Sequence, residues 1–204
     1  MSSKAVALVL GAALAAGCSS DTAQPTAPIS VPIVTQSLHA PGGANANGGN
    51  FGTPLSPDEE VMPAGVVNTS RARGNAVFHL SADGSSLSYK LIVANIENVF
   101  MAHIHSGPAG SNGGVVVWLY PSTTPGAGPT GGGRINGVIA EGTITAANLT
   151  GSLAGEPLSS LVELLQTGGA YVNVHTSDGV DPGNTGPGDY PGGEVRGQIE
   201  HRGH

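Results

Sequence analysis

Two histidines separated by one apolar residue, His103 and His105, stand in the segment FMAHIHSGPAG, where a predicted strand meets a Gly/Pro loop. Residues i and i+2 of a strand share a face, so both imidazoles are expected to point the same way. His175 ends the alternating segment YVNVHT beside another Gly/Pro-rich loop, and His79 lies opposite the apolar face of NAVFHLS. Imidazole nitrogens bind copper, zinc, iron and nickel. The pattern predicts a copper or zinc site at His103, His105 and His175, with His79 as a further candidate.

The same histidines have a second interpretation that involves no metal. Outward-facing histidines on strands are commonly solvated or hydrogen-bonded to a loop carbonyl, and no cofactor is then expected. The other three histidines are interpreted as bystanders, because His39 lies in a Pro/Ala/Gly-rich segment while His201 and His204 belong to the polar tail EHRGH.

Other candidate motifs in the sequence do not match a known binding or catalytic pattern. The three aspartates of SDGVDPGNTGPGDYPGG lack the spacing of a calcium-binding EF-hand and are interpreted as solvated turn formers. The loop GPAGSNGG lacks the Gly-Lys-Ser/Thr end of a phosphate-binding loop. Glu194 and Arg196 alternate with Val195, which predicts a structural ion pair or hydrogen-bond bracket on one strand face. No catalytic residue is predicted.

The elements that must position these residues are short antiparallel strands. NAVFHLS and LSYKLIVAN both alternate and flank the turn ADGSS, which predicts a hairpin. Further strands are predicted at NVFMAHIH, VVVWLY, INGVIAEGTIT (with Gly142 a candidate bulge), AYVNVHT and GGEVRGQIE. PLSSLVELLQTGG has helical spacing and ends at Gly168. The expected fold is all-β, an antiparallel β-sandwich or Greek-key barrel with one short helix.

Composition narrows the possible partners. The chain has 33 glycines, 15 prolines and a net charge of −7, with no basic cluster. This balance argues against nucleic acid and against an anionic lipid surface as partners.

The amino-terminal residues resemble an export signal. Lys4 precedes an apolar run of 12 residues, Ala5 to Ala16, which is too short to span a bilayer. The small residues before Cys18 resemble a bacterial lipobox, and this resemblance implies that Cys18 is lipidated and that the outer membrane or cell surface is the location. Ordinary secretion is the alternative. Residues 1–18 are thus a predicted lipoprotein signal peptide with its lipobox cysteine, 19–54 a flexible tether and 55–204 the folded domain.

The segments AHIHSGPAGSNGGVVVWLY, YVNVHT and PGGEVRGQ resemble the signature of the CHRD domain, a module named from chordin. The resemblance extends from about Leu55 to Glu200. A more distant likeness is to Cu/Zn superoxide dismutase, and it implies that His103, His105 and His175 act as copper ligands. The chain departs from that enzyme because we find no zinc loop, no bridging histidine and no disulfide pair.

Three functions follow as hypotheses. The first is a non-enzymatic, extracytoplasmic binding module, anchored to the membrane by its lipid and bound to an unidentified surface protein, with the histidines holding copper or zinc. The second is a copper redox enzyme resembling superoxide dismutase. The third is a purely structural or protein-interaction domain without metal.

Overall fold

Residues 49–203 are described by the computed structural model, and nine strands occur in this part of the chain. In chain order they are β1 (Asn50–Leu55), β2 (Arg73–Leu80), β3 (Leu87–Glu97), β4 (Val99–Ser106), β5 (Val115–Tyr120), β6 (Arg134–Ile144), β7 (Ala170–Thr176), β8 (Val195–Gln198) and β9 (Glu200–His201). The same residues form one α-helix, α1 (Leu158–Gln166), and three short 3-10 helices (Pro57–Glu59, Ala146–Asn148 and Gly151–Leu153).

The strands form two antiparallel sheets. The first sheet has the order β6-β3-β2-β1-β9, and the second has the order β5-β4-β7-β8. Alternate apolar side chains of both sheets meet in one buried cluster, which includes Phe78 and Leu91 from the first sheet and Ile104 and Val172 from the second. The expected all-β sandwich with one short helix is therefore confirmed.

The hairpin and the helix follow the sequence pattern closely. β2 and β3 pair in antiparallel register, and the alternating apolar residues of both strands are buried. The helix buries the four residues of its apolar stripe, Leu158, Leu161, Val162 and Leu165. Gly168 follows it with a φ of 67°, a left-handed conformation that suits glycine at the end of a helix.

Two expectations about strands are wrong. GGEVRGQIE is not one strand, because β8 belongs to the second sheet and β9 to the first, with buried Ile199 between them. Gly142 is not a bulge, because it pairs in register with Tyr89 while the irregularities of that pairing lie between Leu91 and Ile96. A Cβ on Gly142 would lie 3.1 Å from the Tyr89 ring, so the glycine leaves room for that side chain.

The folded domain begins earlier than the sequence suggests. β1 starts at Asn50 and lies between β2 and β9, whereas the sequence predicts a tether up to residue 54. The domain therefore starts at or before Asn50 and not at Leu55. The signal peptide, Cys18, His39 and most of the predicted tether lie outside the described residues, as does His204. Within residues 49–203, no helix has the length and apolar character needed to cross a membrane.

Candidate metal site

Three histidines from two neighbouring strands form a cluster. His103 and His105 lie on β4 and His175 lies on β7, which is paired with β4. Ile104 between the first two belongs to the core, so the imidazoles occupy the opposite, outer face of the second sheet. One nitrogen from each ring lies within 4.8 Å of the others. The structure thus brings together the three residues that the sequence grouped.

The cluster is buried despite lying on an outer face. The exposed fractions of His103, His105 and His175 are 2%, 8% and 5%. The loop after β4 and the loop after β7 both supply backbone carbonyls to the rings, from Gly113 and Pro191. The interpretation of these histidines as solvated is therefore wrong, although hydrogen bonding to loop carbonyls does occur.

The carbonyl contacts fix which nitrogen of two rings carries the proton. His105 donates from Nδ1 to the Gly113 carbonyl, and His175 donates from Nδ1 to the Pro191 carbonyl, each over 3.0 Å. Because a carbonyl only accepts, the Nε2 atoms of both neutral rings carry a lone pair and no proton. Anchoring one ring nitrogen to a carbonyl is the usual way in which proteins orient a metal-binding histidine.

His103 completes the set of donors. Its Nδ1 lies 3.1 Å from Nε2 of His175, and the lone pair on that Nε2 makes His103 the donor in this hydrogen bond. Within residues 49–203, the Nε2 atoms of His103 and His105 are buried and find no hydrogen-bond partner. Buried polar atoms without a partner are uncommon in proteins, and a bound metal ion is one group that would satisfy these two nitrogens.

The surroundings keep the imidazoles neutral. Burial lowers the pKa of His103 to about 3, with further contributions from His175 and His105 beside it. Burial and the neighbouring His105 lower the pKa of His175 to about 4, against the opposing effect of the Pro191 carbonyl. Burial also lowers the pKa of His105. Neutral rings near pH 7 are the form that binds a metal ion.

A stacked pair of side chains supports His105. The ring of Tyr171 lies parallel to that of His105 at 4.9 Å, and the Arg196 guanidinium lies 3.4 Å from the centre of the Tyr171 ring. Arg196 also donates to Pro108 O, Ser111 O and Asn112 Oδ1. These bonds hold the loop after β4, which includes Gly113, over the cluster.

Trp118 closes the cluster on its other side. It pairs with His103 in the register between β5 and β4, and the two rings meet edge to face with centroids 4.2 Å apart. Trp118 is absent from the predicted site residues because VVVWLY has no polar alternation that would place its side chain on the histidine face. β5 is in fact an edge strand whose Trp118 side chain is half-buried.

Two further residues beside the cluster, Asn173 and Glu60, are not among the predicted site residues. Asn173 lies between His103 and Arg196 in the register of the second sheet. Its side-chain amide donates to Gly192 O at 3.3 Å and to Glu60 Oε1 at 3.4 Å. Burial raises the pKa of Glu60. The alternation of YVNVHT places Asn173 on the histidine face, but no local signal brings Glu60 to it.

The other candidate residues lie apart from the cluster. His79 is exposed on the first sheet, where its Nδ1 contacts Asn50 Oδ1 at 2.6 Å. Glu194 accepts hydrogen bonds from Ser70 Oγ, Thr176 Oγ1 and Gly188 N, and no ion pair joins it to Arg196 among residues 49–203.

The loop aspartates do form turns, but one of them is not solvated. Asp178 accepts a hydrogen bond from Val180 N, and Asp189 accepts two from Thr185. Asp189 is buried, which corrects the expectation that all three are solvated.

Comparison with known proteins gives a family match. A family model described as the CHRD domain matches residues 51–199, well over half of the chain. No curated protein and no solved structure matched the chain.

Proposed function

This chain belongs to the CHRD domain family, and we propose that it is an exported, lipid-anchored binding module whose three-histidine cluster holds a copper or zinc ion. The main support for the metal site is that three buried, neutral imidazoles place one nitrogen each within 4.8 Å of the others. Two of them, His103 and His105, present a buried Nε2 that has no hydrogen-bond partner in the described part of the chain.

The spacing of the donor atoms suits a single ion. Metal–imidazole bonds of ~2.0–2.1 Å place nitrogens on a common ion about 3.3–3.6 Å apart. One nitrogen from each ring lies within 4.8 Å of the others. The hydrogen bond of 3.1 Å from His103 Nδ1 to His175 Nε2 shows how closely these two rings already approach. Shifts of roughly 1 Å or rotamer-scale rotations of the rings are therefore enough to bind an ion.

Burial of the histidines supports binding over catalysis. A redox enzyme needs an ion that a substrate can reach, whereas the exposed fraction of His103 is 2% and Trp118 packs against its ring. We therefore propose a resident ion in a module that binds a surface protein. Superoxide turnover by the copper-loaded chain would replace this proposal with the copper redox enzyme.

Metal content tests the site. The full chain is incubated separately with Cu²⁺ and Zn²⁺, desalted and analysed by mass spectrometry of its metals. We expect about one ion per chain, and almost none in the His103→Ala/His105→Ala variant. The His79→Ala/His201→Ala variant, which also loses two histidines, retains the metal. Metal-free parent protein, or equal loading of both double variants, would refute the site.

The membrane anchor rests on the first 18 residues alone. Lipidation of Cys18 predicts that the chain sediments with membranes and that Cys18→Ser releases it into the soluble fraction. A parent chain found in the soluble fraction would exclude the anchor. Chemical crosslinking in intact cells, with Cys18→Ser as the control, then tests for a surface protein partner.

A further inference from the structure

Met101 lies beside the histidine cluster in the pairing of β4 with β7. It pairs with His175 in the register between β4 and β7, and it stands two residues before His103 on the same strand. Both relationships place Met101 on the outer face of the second sheet with the imidazoles. A register irregularity between Val99 and Met101 comes just before this position, and such bulges change the direction of side chains.

The pairing of Met101 with His175 places the two side chains close enough for the thioether to approach the imidazoles. Directly paired residues have Cβ atoms about 4.5–5.5 Å apart. Methionine has a flexible, unbranched side chain, so its sulfur adapts to irregular surroundings. Met101 is half-buried, as expected for a residue at the margin of the buried site.

The charge of the site favours a monovalent ion. The donor set is three neutral imidazoles, and no carboxylate from residues 49–203 joins it. The desolvation cost of an ion grows with the square of its charge, so a divalent ion is roughly four times as expensive to bury as a monovalent one. The Arg196 guanidinium, stacked on Tyr171 against His105, adds positive charge nearby. Glu60 accepts a hydrogen bond from Asn173 on the same face, but burial raises the pKa of its carboxyl and so disfavours its negative charge.

Coordination preferences point the same way. Zinc held by three imidazoles takes a water as its fourth ligand, whereas the three histidines here are at most 8% exposed. Thioether sulfur favours the cuprous ion over zinc. A nitrogen-rich site with one thioether at its margin therefore matches Cu⁺ better than Zn²⁺ or Cu²⁺.

We propose that the cluster selects the cuprous ion, with three imidazoles as its principal ligands and the Met101 thioether as the fourth donor. This inference rests on the proposed metal site, and it adds the oxidation state of the ion and a ligand. No bond is made or broken beyond coordination, because the ion enters as Cu⁺.

Competition measurements test the selection. The full chain is titrated without oxygen against a coloured Cu⁺ chelator, and separately with Zn²⁺ against a coloured Zn²⁺ chelator. We expect the dissociation constant for Cu⁺ to be at least ~100-fold lower than that for Zn²⁺. Binding of Zn²⁺ as tight as that of Cu⁺ would overturn the selection while leaving the proposed metal site intact. A chain that binds neither ion would overturn both.

Substitution of the methionine tests the fourth donor. Met101→Leu preserves the apolar volume, and we expect it to weaken Cu⁺ binding about tenfold or more with little change for Zn²⁺. Met62→Leu makes the same chemical change outside β4 and leaves both affinities unchanged. X-ray absorption of the Cu⁺-loaded chain should show a sulfur neighbour that Met101→Leu removes. Unchanged Cu⁺ affinity and no sulfur neighbour in the parent would overturn the role of Met101.

Discussion

His103 Nδ1 and His175 Nε2 lie 3.1 Å apart, although 72 residues separate them in the chain. The contact exists because β4 and β7 are neighbours in the second sheet, with Met101 paired to His175 and His103 paired to Asn173. The imidazole of His175 thus reaches diagonally along the sheet towards His103. Two strands and the two loops that follow them are enough to assemble the three-nitrogen site.

Acid should destabilise the metal-free protein well above the pH at which carboxylates titrate. The pKa of His103 is lowered to about 3 and that of His175 to about 4, whereas unfolded histidine titrates near 6.5. Above pH ~6.5 both states are neutral and the full stability is present. As the pH falls towards 4, the unfolded chain takes up protons that the folded chain excludes, so stability is lost.

Each of these histidines contributes a slope of up to ~1.4 kcal/mol per pH unit. Glu60, whose pKa is raised, opposes this trend and reduces the total slope. Urea unfolding between pH 7 and 4.5 measures the effect, and His175→Gln should flatten the curve. Stability that stays constant or rises on acidification would contradict the neutral, buried state of the cluster.

Local alternation accounts for the parts of the fold that the sequence predicted. In NAVFHLS and LSYKLIVAN, side chains with a period of two encode both the strands and their buried faces. The sequence does not predict β1, because Gly52 and Pro54 interrupt its pattern and proline within a sheet is usually confined to edge strands. The division of the last strand between two sheets depends on tertiary packing around Ile199, which no local pattern shows.

Only the local part of the site could be predicted from the sequence. Strand parity placed His103 and His105 on one face, since that relationship is local. The approach of His175, Trp118 and Met101 depends on register between strands far apart in the chain. Burial of the cluster depends on loops held by Arg196, whose partners are backbone carbonyls and an amide that sequence patterns do not identify.

Replacing Arg196 by lysine should destabilise the domain by about 2–4 kcal/mol. The residue is 1% exposed, and its guanidinium makes three hydrogen bonds to the loop after β4 while stacking on Tyr171. A lysine ammonium lacks the planar shape needed for these contacts. Arg134→Lys is the matched control, because Arg134 makes a surface ion pair with Glu97 and should cost at most ~1 kcal/mol. Equal urea midpoints for the two variants would show that Arg196 does not organise the loop.

Glu194→Gln should cost about 1–3 kcal/mol, since the buried carboxylate accepts three hydrogen bonds. The glutamine amide keeps one accepting oxygen and turns an NH₂ group towards a donor that loses its acceptor. Glu141→Gln, at an exposed ion pair with Lys90, makes the same change on the surface and should alter stability by less than ~1 kcal/mol. Thermal unfolding of both variants gives the comparison, and a neutral Glu194→Gln would mean that the hydrogen bonds to this side chain do not stabilise the fold.

The central claim is that His103, His105 and His175 hold one metal ion. Anomalous diffraction at the copper absorption edge, from crystals of the copper-loaded protein, locates the ion directly. We predict a single strong peak about 2.0–2.1 Å from one nitrogen of each ring, at Nε2 of His105 and His175. Copper-loaded crystals with no peak at these histidines, or with the main peak at His79 or His201, would contradict the claim.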